Sequence, residues 1–189
     1  MVSSERPSHK LSRRAAQTRW ASQPWDAWES PVSYACLATR SQPAPLYVGN
    51  RKAPKIFRSA VKSPYVLSTV EPSQSDGGSA LSDVQVFFED EQGDETEEDK
   101  VLAKKCILRG AQLVDAAIRK KRRVLVHCYA GQNRSASICA AYLILYRGWA
   151  PAKAIAHLRH RVEVDREVLD VVQNPCFAKI LRRLAPRKM

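Results

Sequence analysis

The chain has 189 residues and a formal net charge of +12, so it is long enough for one globular domain with extensions and an ordinary hydrophobic core. No run of apolar residues approaches the length needed to cross a bilayer. The basic balance favours anionic partners such as phosphoproteins, nucleic acid or acidic lipid headgroups, and charge alone does not choose among them.

The five cysteines are scattered along the chain and form no Cys-x-x-Cys pair: Cys36, Cys106, Cys128, Cys139 and Cys176. An odd, scattered set suits neither a disulfide framework nor a zinc site and predicts a reducing compartment. We therefore expect a cytoplasmic protein without metal or cofactor, with a nuclear location as an alternative. The basic, serine-containing N-terminus also leaves mitochondrial targeting open.

Composition divides the chain into three parts. Residues 1–43 are rich in Ser, Gln, Pro and Arg and lack periodicity, which predicts a basic, largely disordered extension. Three aromatic residues in it, Trp20, Trp25 and Trp28, are expected to dock on the domain surface. Residues 44–185 are predicted to form the globular domain, and residues 186–189 a basic tail.

From Leu46 onward the patterns alternate between strand and helix. Strands are predicted at 46–48, 65–70, 84–88 and 124–126. Helices are predicted at 53–61, 100–119, 135–149, 152–160 and 166–184, the last broken at Pro175. An acidic loop with eight carboxylates occupies residues 89–99. Strands that alternate with helices predict an α/β sheet with helices on its faces.

The loop between the strand at 124–126 and the following helix carries the strongest chemical signal. It reads His127-Cys128-Tyr129-Ala130-Gly131-Gln132-Asn133-Arg134-Ser135. Backbone N–H groups that curl just before a helix N-terminus favour a bound anion. Gly131 permits the required backbone conformation, and Arg134 can place its planar guanidinium on two phosphate oxygens. We therefore predict that the loop binds phosphate, with His127 and residues 129–133 as its substrate-binding part.

Within this loop Cys128 is the predicted nucleophile, because the field that favours a phosphate dianion also favours a thiolate. Ser135 is placed to donate a hydrogen bond to the sulfur when it leaves as thiolate. His127 is expected to order the loop by hydrogen bonding rather than to act as a base, since its side chain should point away from Cys128 along the strand.

In every fixed position the loop resembles the signature of protein tyrosine and dual-specificity phosphatases, His-Cys-x-x-Gly-x-x-Arg-Ser/Thr. The flanking residues 124–126 and 135–143 resemble the small, atypical dual-specificity branch, and the likeness extends over residues 46–184. The resemblance implies a central, mostly parallel sheet of four to five strands flanked by helices. It also implies hydrolysis through a phosphocysteine intermediate. Asn174-Pro175-Cys176-Phe177 resembles the family's Asn-x-x-Phe stretch under the phosphate loop, and we interpret it as structural.

The resemblance further implies a general acid, an aspartate on a loop after a strand, about thirty residues before the cysteine. Asp90 follows the alternating strand 84–88 directly and is the first choice. Asp94 is nearer the usual distance and is the second, while Asp99 is expected to open the helix.

The function so implied is hydrolysis of phosphotyrosine and phosphoserine/threonine in proteins, with phosphorylated proteins as partners and other polyanions as further ligands of the basic surface. Asn133 leaves an alternative open, because asparagine at this position also occurs in related RNA 5′-triphosphatases. The neutral Tyr129, Gln132 and Asn133 disfavour phosphoinositide phosphatases, which tend to carry lysines there. Outside enzymes, the alternative is a phosphate-binding pseudophosphatase scaffold, although Cys128 and Arg134 are both retained.

Overall fold

A mostly parallel sheet forms the centre of the structure, a computed structural model that describes residues 34–37, 45–71, 81–90, 96–166 and 171–186. In the described part the sheet has five strands in the order β1-β2-β5-β3-β4. They are β1 (Tyr34–Cys36), β2 (Leu46–Gly49), β3 (Pro64–Ser68), β4 (Val84–Gln85) and β5 (Arg123–His127). Among these described strands, only β1 is antiparallel to its neighbour. This agrees with the fold class predicted from the sequence.

Helices cover both faces of this sheet. They are α1 (Ala53–Ala60), α2 (Glu97–Arg119), α3 (Arg134–Arg147), α4 (Pro151–Arg166) and α5 (Pro175–Arg182). Alternation along β5 divides the core, because successive strand side chains point to opposite faces. Leu125 packs with Phe57 of α1 on one face, while Val124 and Val126 join the larger cluster with α2 and α3 on the other.

The central strand brings three chain segments to one edge of the sheet. In the register of β5 with its two parallel neighbours, His127 pairs with Gly49 of β2 and with Ser68 of β3. The residues that follow these three positions therefore meet at the carboxyl edge, which is where open α/β sheets bind ligands. Helix α3 begins immediately beyond it, after the loop at residues 128–133.

Strand β1 lies within the stretch that composition assigned to the extension, so the sheet begins before residue 44. Its partners are distant in sequence: the Cys36 N–H donates to Asp165 Oδ2 at 3.2 Å, and Arg161 Nε donates to the Cys36 carbonyl at 2.8 Å. Side chains of α4 thus pair the outer backbone groups of an edge strand of only three residues. Nothing local in the sequence signals such a strand.

Other bounds differ from the predictions for physical reasons. Strand β4 ends at Gln85, although Val86 and Phe88 are buried as the alternation predicted. Helix α2 begins at Glu97, because Thr96 and Asp99 form a capping box. Helix α4 extends to Arg166 and α5 is short. The three tryptophans at positions 20, 25 and 28, Asp94, the loop residues 72–80 and the end of the chain lie outside the described residues.

Within the described ranges, no helix is both long enough and apolar enough to cross a membrane.

Candidate active site

The candidate site is the loop that joins β5 to α3 at the carboxyl edge of the sheet. Cys128 is the first residue after β5, and its N–H donates to the Gly49 carbonyl of the neighbouring strand at 3.2 Å. The residue is almost fully buried, with 2% of its surface exposed. The sheet therefore holds the sulfur at the bottom of the loop, beneath the N-terminus of α3.

Two donors point at the Cys128 sulfur. The Gly131 N–H lies 3.0 Å from Sγ, and the Ser135 hydroxyl donates to it at 3.2 Å. Gly131 has a φ of 73°, in the left-handed region that a glycine adopts without steric cost, and this conformation turns its N–H inward. Donors directed at sulfur, together with the positive end of the α3 dipole, stabilise a thiolate.

Arg134 is held in place by two backbone carbonyls from different segments. Its Nη1 donates to the carbonyl of Thr69, just beyond β3, at 3.1 Å and to that of Phe88 at 3.5 Å. The side chain is buried, and its Nε has no hydrogen-bond partner among the described residues. The guanidinium is therefore fixed on one side and retains a donor for an anion.

Cys139 provides a contrast with Cys128 on the same helix. It is completely buried in α3, and burial together with the neighbouring Cys128 sulfur raises the pKa of its thiol. No ionised form of Cys139 is accessible at neutral pH, so it packs as a small apolar residue.

His127 is fully buried at the end of β5. Burial lowers the pKa of its imidazole to about 4, so the ring is neutral at physiological pH. Its Nε2 lies 3.5 Å from Ser82 Oγ, and its carbonyl accepts from the Thr69 N–H at 2.9 Å and from the Thr69 hydroxyl at 3.1 Å. These contacts tie the start of the loop to Ser82 and to the residue that follows β3, and the role of the His127 side chain in ordering the loop stays a prediction.

Tyr129 forms the outer rim of the site and is 47% exposed. The Arg51 guanidinium lies 4.3 Å from the centre of its ring, and the Arg51 N–H donates to the Tyr129 carbonyl at 3.1 Å. Ala130 is also exposed. The rim is thus an aromatic ring backed by a cation, which the loop sequence alone does not reveal.

The other side of the loop is bound to the segment before α5. The Gln132 carbonyl accepts from the Val172 N–H at 3.0 Å. Asn133 Oδ1 accepts from the N–H groups of Gln173 at 2.8 Å and Asn174 at 3.4 Å. Asn133 is buried, so its side chain faces the protein rather than the mouth of the site.

Asp90 lies two residues beyond Phe88, whose carbonyl contacts Arg134. Its Oδ1 accepts a hydrogen bond from Asn174 Nδ2 at 3.2 Å. Asp99 instead caps the start of α2. Its carboxylate accepts from the Thr96 N–H and hydroxyl, and these hydrogen bonds lower the pKa of Asp99. The structure therefore brings Asp90 to the segment that also contacts the loop, and it describes no position for Asp94.

Sequence reasoning missed several groups that build this site. The carbonyls of Thr69 and Phe88 carry no side-chain signal, and Arg51 reaches the loop only through the register of β2 with β5. Asn174 was singled out from the sequence, but only as part of the structural stretch 174–177 under the phosphate loop. Its link to Asp90, 84 residues earlier in the chain, had no signal in the sequence.

These features agree with a family-wide comparison. The family model of the dual specificity phosphatase catalytic domain matches residues 46–182 of this sequence, which contain the loop at residues 128–133, Asp90 and Asn174. The chain belongs to the dual specificity phosphatase family. The match covers the sheet from β2 onward, and the expectation of a small dual-specificity phosphatase domain is confirmed.

Curated relatives match this family member over short segments. The tyrosine-protein phosphatase yvh1 of Schizosaccharomyces pombe is 42% identical over 45 residues, which are 24% of this chain and 14% of the relative. The human phosphatidylglycerophosphatase and protein-tyrosine phosphatase 1 is 43% identical over 53 residues, 26% of each chain. The chain therefore spans well under two thirds of the length of the curated relatives it matches.

Solved structures of the family match over most of the chain. Human DUSP28 superposes with a TM-score of 0.56 at 25% identity, covering 82% of this chain and 95% of that one. PTPMT1, solved in complex with PI(5)P, superposes with a TM-score of 0.56 at 18% identity, covering 79% and 92%. The second likeness concerns the fold alone.

Proposed function

We propose that this protein hydrolyses phosphotyrosine and phosphoserine/threonine in proteins through a phosphocysteine intermediate. One observation carries the proposal: the Cys128 sulfur receives donors from Gly131 and Ser135, while Nε of the buried Arg134 has no hydrogen-bond partner among the residues that the structure describes. A nucleophile and an anion clamp thus occupy one loop at a helix N-terminus. Membership of a phosphatase catalytic family supports the same reaction.

In the first step the Cys128 thiolate attacks phosphorus and the bond from phosphorus to the ester oxygen breaks. The guanidinium of Arg134 and the backbone N–H groups of residues 129–135 hold the three other phosphoryl oxygens. Asp90 in its neutral form gives its proton to the leaving oxygen, so that the product departs as an alcohol or phenol. The enzyme is left with phosphate esterified to sulfur and an ionised Asp90.

In the second step water attacks the phosphorus and the phosphorus–sulfur bond breaks. Asp90 takes a proton from the water and returns to its neutral form. The sulfur leaves as a thiolate, which the Ser135 hydroxyl at 3.2 Å stabilises by its hydrogen bond. Inorganic phosphate is released, and both groups have regained their initial protonation states.

The side chain of Asn133 bears on the choice of substrate. Its resemblance to RNA 5′-triphosphatases was the main support for an RNA substrate, yet the side chain is buried and accepts from the N–H groups of Gln173 and Asn174. The residue therefore has a role inside the protein that explains its presence without RNA. We propose phosphorylated proteins as substrates, in the cytoplasm or nucleus.

The test is to compare the release of phosphate by the full chain from four substrates. They are a phosphotyrosine peptide, a phosphothreonine peptide, RNA with a 5′-triphosphate, and vesicles that contain phosphatidylglycerophosphate. We expect kcat/KM to be highest for the peptides and Cys128→Ser to abolish turnover of all four. A strong preference for the RNA or for the lipid would contradict the proposed substrate class.

The scaffold alternative makes the opposite prediction. If the wild-type protein hydrolyses no aryl phosphate, while it and Cys128→Ser bind a phosphopeptide equally well, the chain binds phosphate without catalysis.

The acid is assigned separately by comparing Asp90→Ala with Asp94→Ala on a phosphotyrosine peptide. We expect a fall of about 10²-fold or more in kcat for Asp90→Ala only; the reverse result would transfer the role to Asp94.

A further inference from the structure

Asn174 links the loop that contains Cys128 to the carboxylate assigned as the acid. It is fully buried and lies one residue before α5. Its side chain uses both ends: Oδ1 accepts from the N–H groups of Cys176 at 2.9 Å and Phe177 at 3.2 Å, while Nδ2 donates to Asp90 Oδ1 at 3.2 Å. Its own N–H donates to Asn133 Oδ1.

The orientation of both amides follows from their backbone partners. A backbone N–H only donates, so the oxygen of Asn133 must face Gln173 and Asn174, and the oxygen of Asn174 must face the first turn of α5. The Asn174 amide nitrogen is therefore directed at Asp90. Because the Asn174 oxygen caps α5, Asp90 faces the amide nitrogen of Asn174 and not its oxygen.

The segment before α5 is held against the loop at consecutive residues. The Val172 N–H donates to the Gln132 carbonyl at 3.0 Å, and the next two N–H groups reach Asn133 Oδ1. Val172 has a φ of 60°, which is costly for a β-branched residue and persists only where surrounding contacts demand it. This turn points successive N–H groups to one side of the chain, toward the loop.

We propose that Asn174 is a positioning residue for the general acid and that Asn133 connects it to the phosphate-binding loop. The inference rests on the proposed function, because it takes Asp90 as the acid. Since Oδ1 of Asp90 accepts from an amide N–H, the transferable proton of the neutral acid is carried on Oδ2. Asn174 thereby fixes which oxygen faces the leaving group in the first step and the water in the second.

The variant that tests this role is Asn174→Asp. Aspartate keeps the side-chain oxygen that caps α5 and is itself a good N-cap, but it replaces the N–H donor with a second carboxylate oxygen beside Asp90. We expect kcat for a phosphotyrosine peptide to fall about 10-fold or more, because protonation of a poor leaving group depends on the acid. For an aryl phosphate with a highly acidic phenol, the fall should be about threefold or less.

Two controls separate positioning from a structural role. Alkylation of Cys128 by iodoacetate should proceed at the wild-type rate in Asn174→Asp, because the loop and its thiolate remain intact. In an Asp90→Asn background the same substitution should cause no further loss of kcat, since a residue that acts through Asp90 has nothing left to position. Asn133→Ala, which removes the other amide link, should show the same dependence on the leaving group.

Equal losses with both leaving groups, or an additional loss in the Asp90→Asn background, would overturn the positioning role. Failure of the proposed function shows differently: the wild-type protein would then not hydrolyse the phosphotyrosine peptide, or would strongly prefer the RNA or the lipid to it. If the wild-type enzyme is active but Asp90→Asn leaves the dependence on the leaving group unchanged, the acid assignment is wrong, and the role of Asn174 is wrong with it.

Discussion

The Ser135 hydroxyl donates directly to the sulfur of Cys128 at 3.2 Å. A hydrogen bond to a charged group contributes about 1.5–3 kcal/mol, and here the charge on sulfur returns only when the phosphocysteine breaks down. We therefore expect Ser135→Ala to slow the second step about 10- to 100-fold and to leave the first step nearly unchanged. Rapid-quench measurements with an aryl phosphate should then show a burst of phenol equal to the enzyme concentration.

Ser137→Ala is the matched control for that experiment. Ser137 is equally buried on the same helix, but its hydroxyl donates to the Asn133 carbonyl at 2.7 Å and not to the sulfur. It should give no burst. A burst in both variants, or in neither, would contradict the assigned role of Ser135.

His127 makes the stability of the protein depend on pH. Burial lowers the pKa of its imidazole from 6.5 to about 4, so the unfolded chain binds a proton that the folded protein does not. Above pH 6.5 the ring is neutral in both states, so its protonation does not affect the free energy of unfolding. As the pH falls from 6.5 toward 4, the unfolded chain binds the proton and the free energy of unfolding decreases progressively. At pH 4.5 the loss should be about 2 kcal/mol.

Urea unfolding of the wild-type protein and of His127→Gln at pH 7 and pH 4.5 measures this effect. The other titrating groups contribute to both proteins, so the difference isolates His127. The variant should lose about 2 kcal/mol less than the wild-type protein on acidification, and NMR should show no titration of the His127 ring between pH 5 and 8. Equal losses in the two proteins would contradict the prediction.

At the scale of elements, the close packing of α2 on α3 depends on Gly110. A Cβ added there would lie 2.5 Å from Ile138 Cδ1 and 2.8 Å from Cγ1 in the core. Overpacking costs about 1–3 kcal/mol, against about 1 kcal/mol gained from the higher helix propensity of alanine. We expect Gly110→Ala to lower the free energy of unfolding by about 1 kcal/mol, the difference of the two effects.

The double-mutant cycle with Ile138 separates these two effects. In an Ile138→Ala background the side chain in the way is gone, so Gly110→Ala should stabilise the protein by about 1 kcal/mol through helix propensity alone. Denaturant unfolding of the four proteins gives the coupling. If Gly110→Ala has the same sign in both backgrounds, the contact with Ile138 does not set the distance between the helices.

For the whole molecule, the net charge of +12 should act on substrate association rather than on chemistry. Long-range attraction is screened as the Debye length falls with salt. Two phosphotyrosine peptides with acidic and with neutral flanking residues form the matched pair. Between 50 and 300 mM NaCl we expect kcat/KM for the acidic peptide to fall about threefold to tenfold more than for the neutral one. Parallel salt dependence would exclude steering by the basic surface.

Sequence patterns predicted most of the fold because the elements concerned carry their own signals. The uninterrupted apolar run 124–126 identified the central strand, and apolar residues throughout 135–145 identified the core helix that follows. Strand β1 could not be predicted, since its outer hydrogen bonds come from Arg161 and Asp165 on a helix about 125 residues away. The same holds for the end of β4, which is set by where β3 stops pairing rather than by the alternation of Val86 and Phe88.

By itself the sequence determined the loop from Cys128 to Ser135, because strand, glycine, arginine and helix N-terminus are contiguous and their geometry is local. Only the tertiary structure decided what surrounds that loop. The carbonyls that hold Arg134 follow β3 and β4, and Asn174 meets Asp90 across 84 positions of the chain. Contacts of this kind depend on which strands are neighbours and in which register they pair, and no local pattern of residues specifies either.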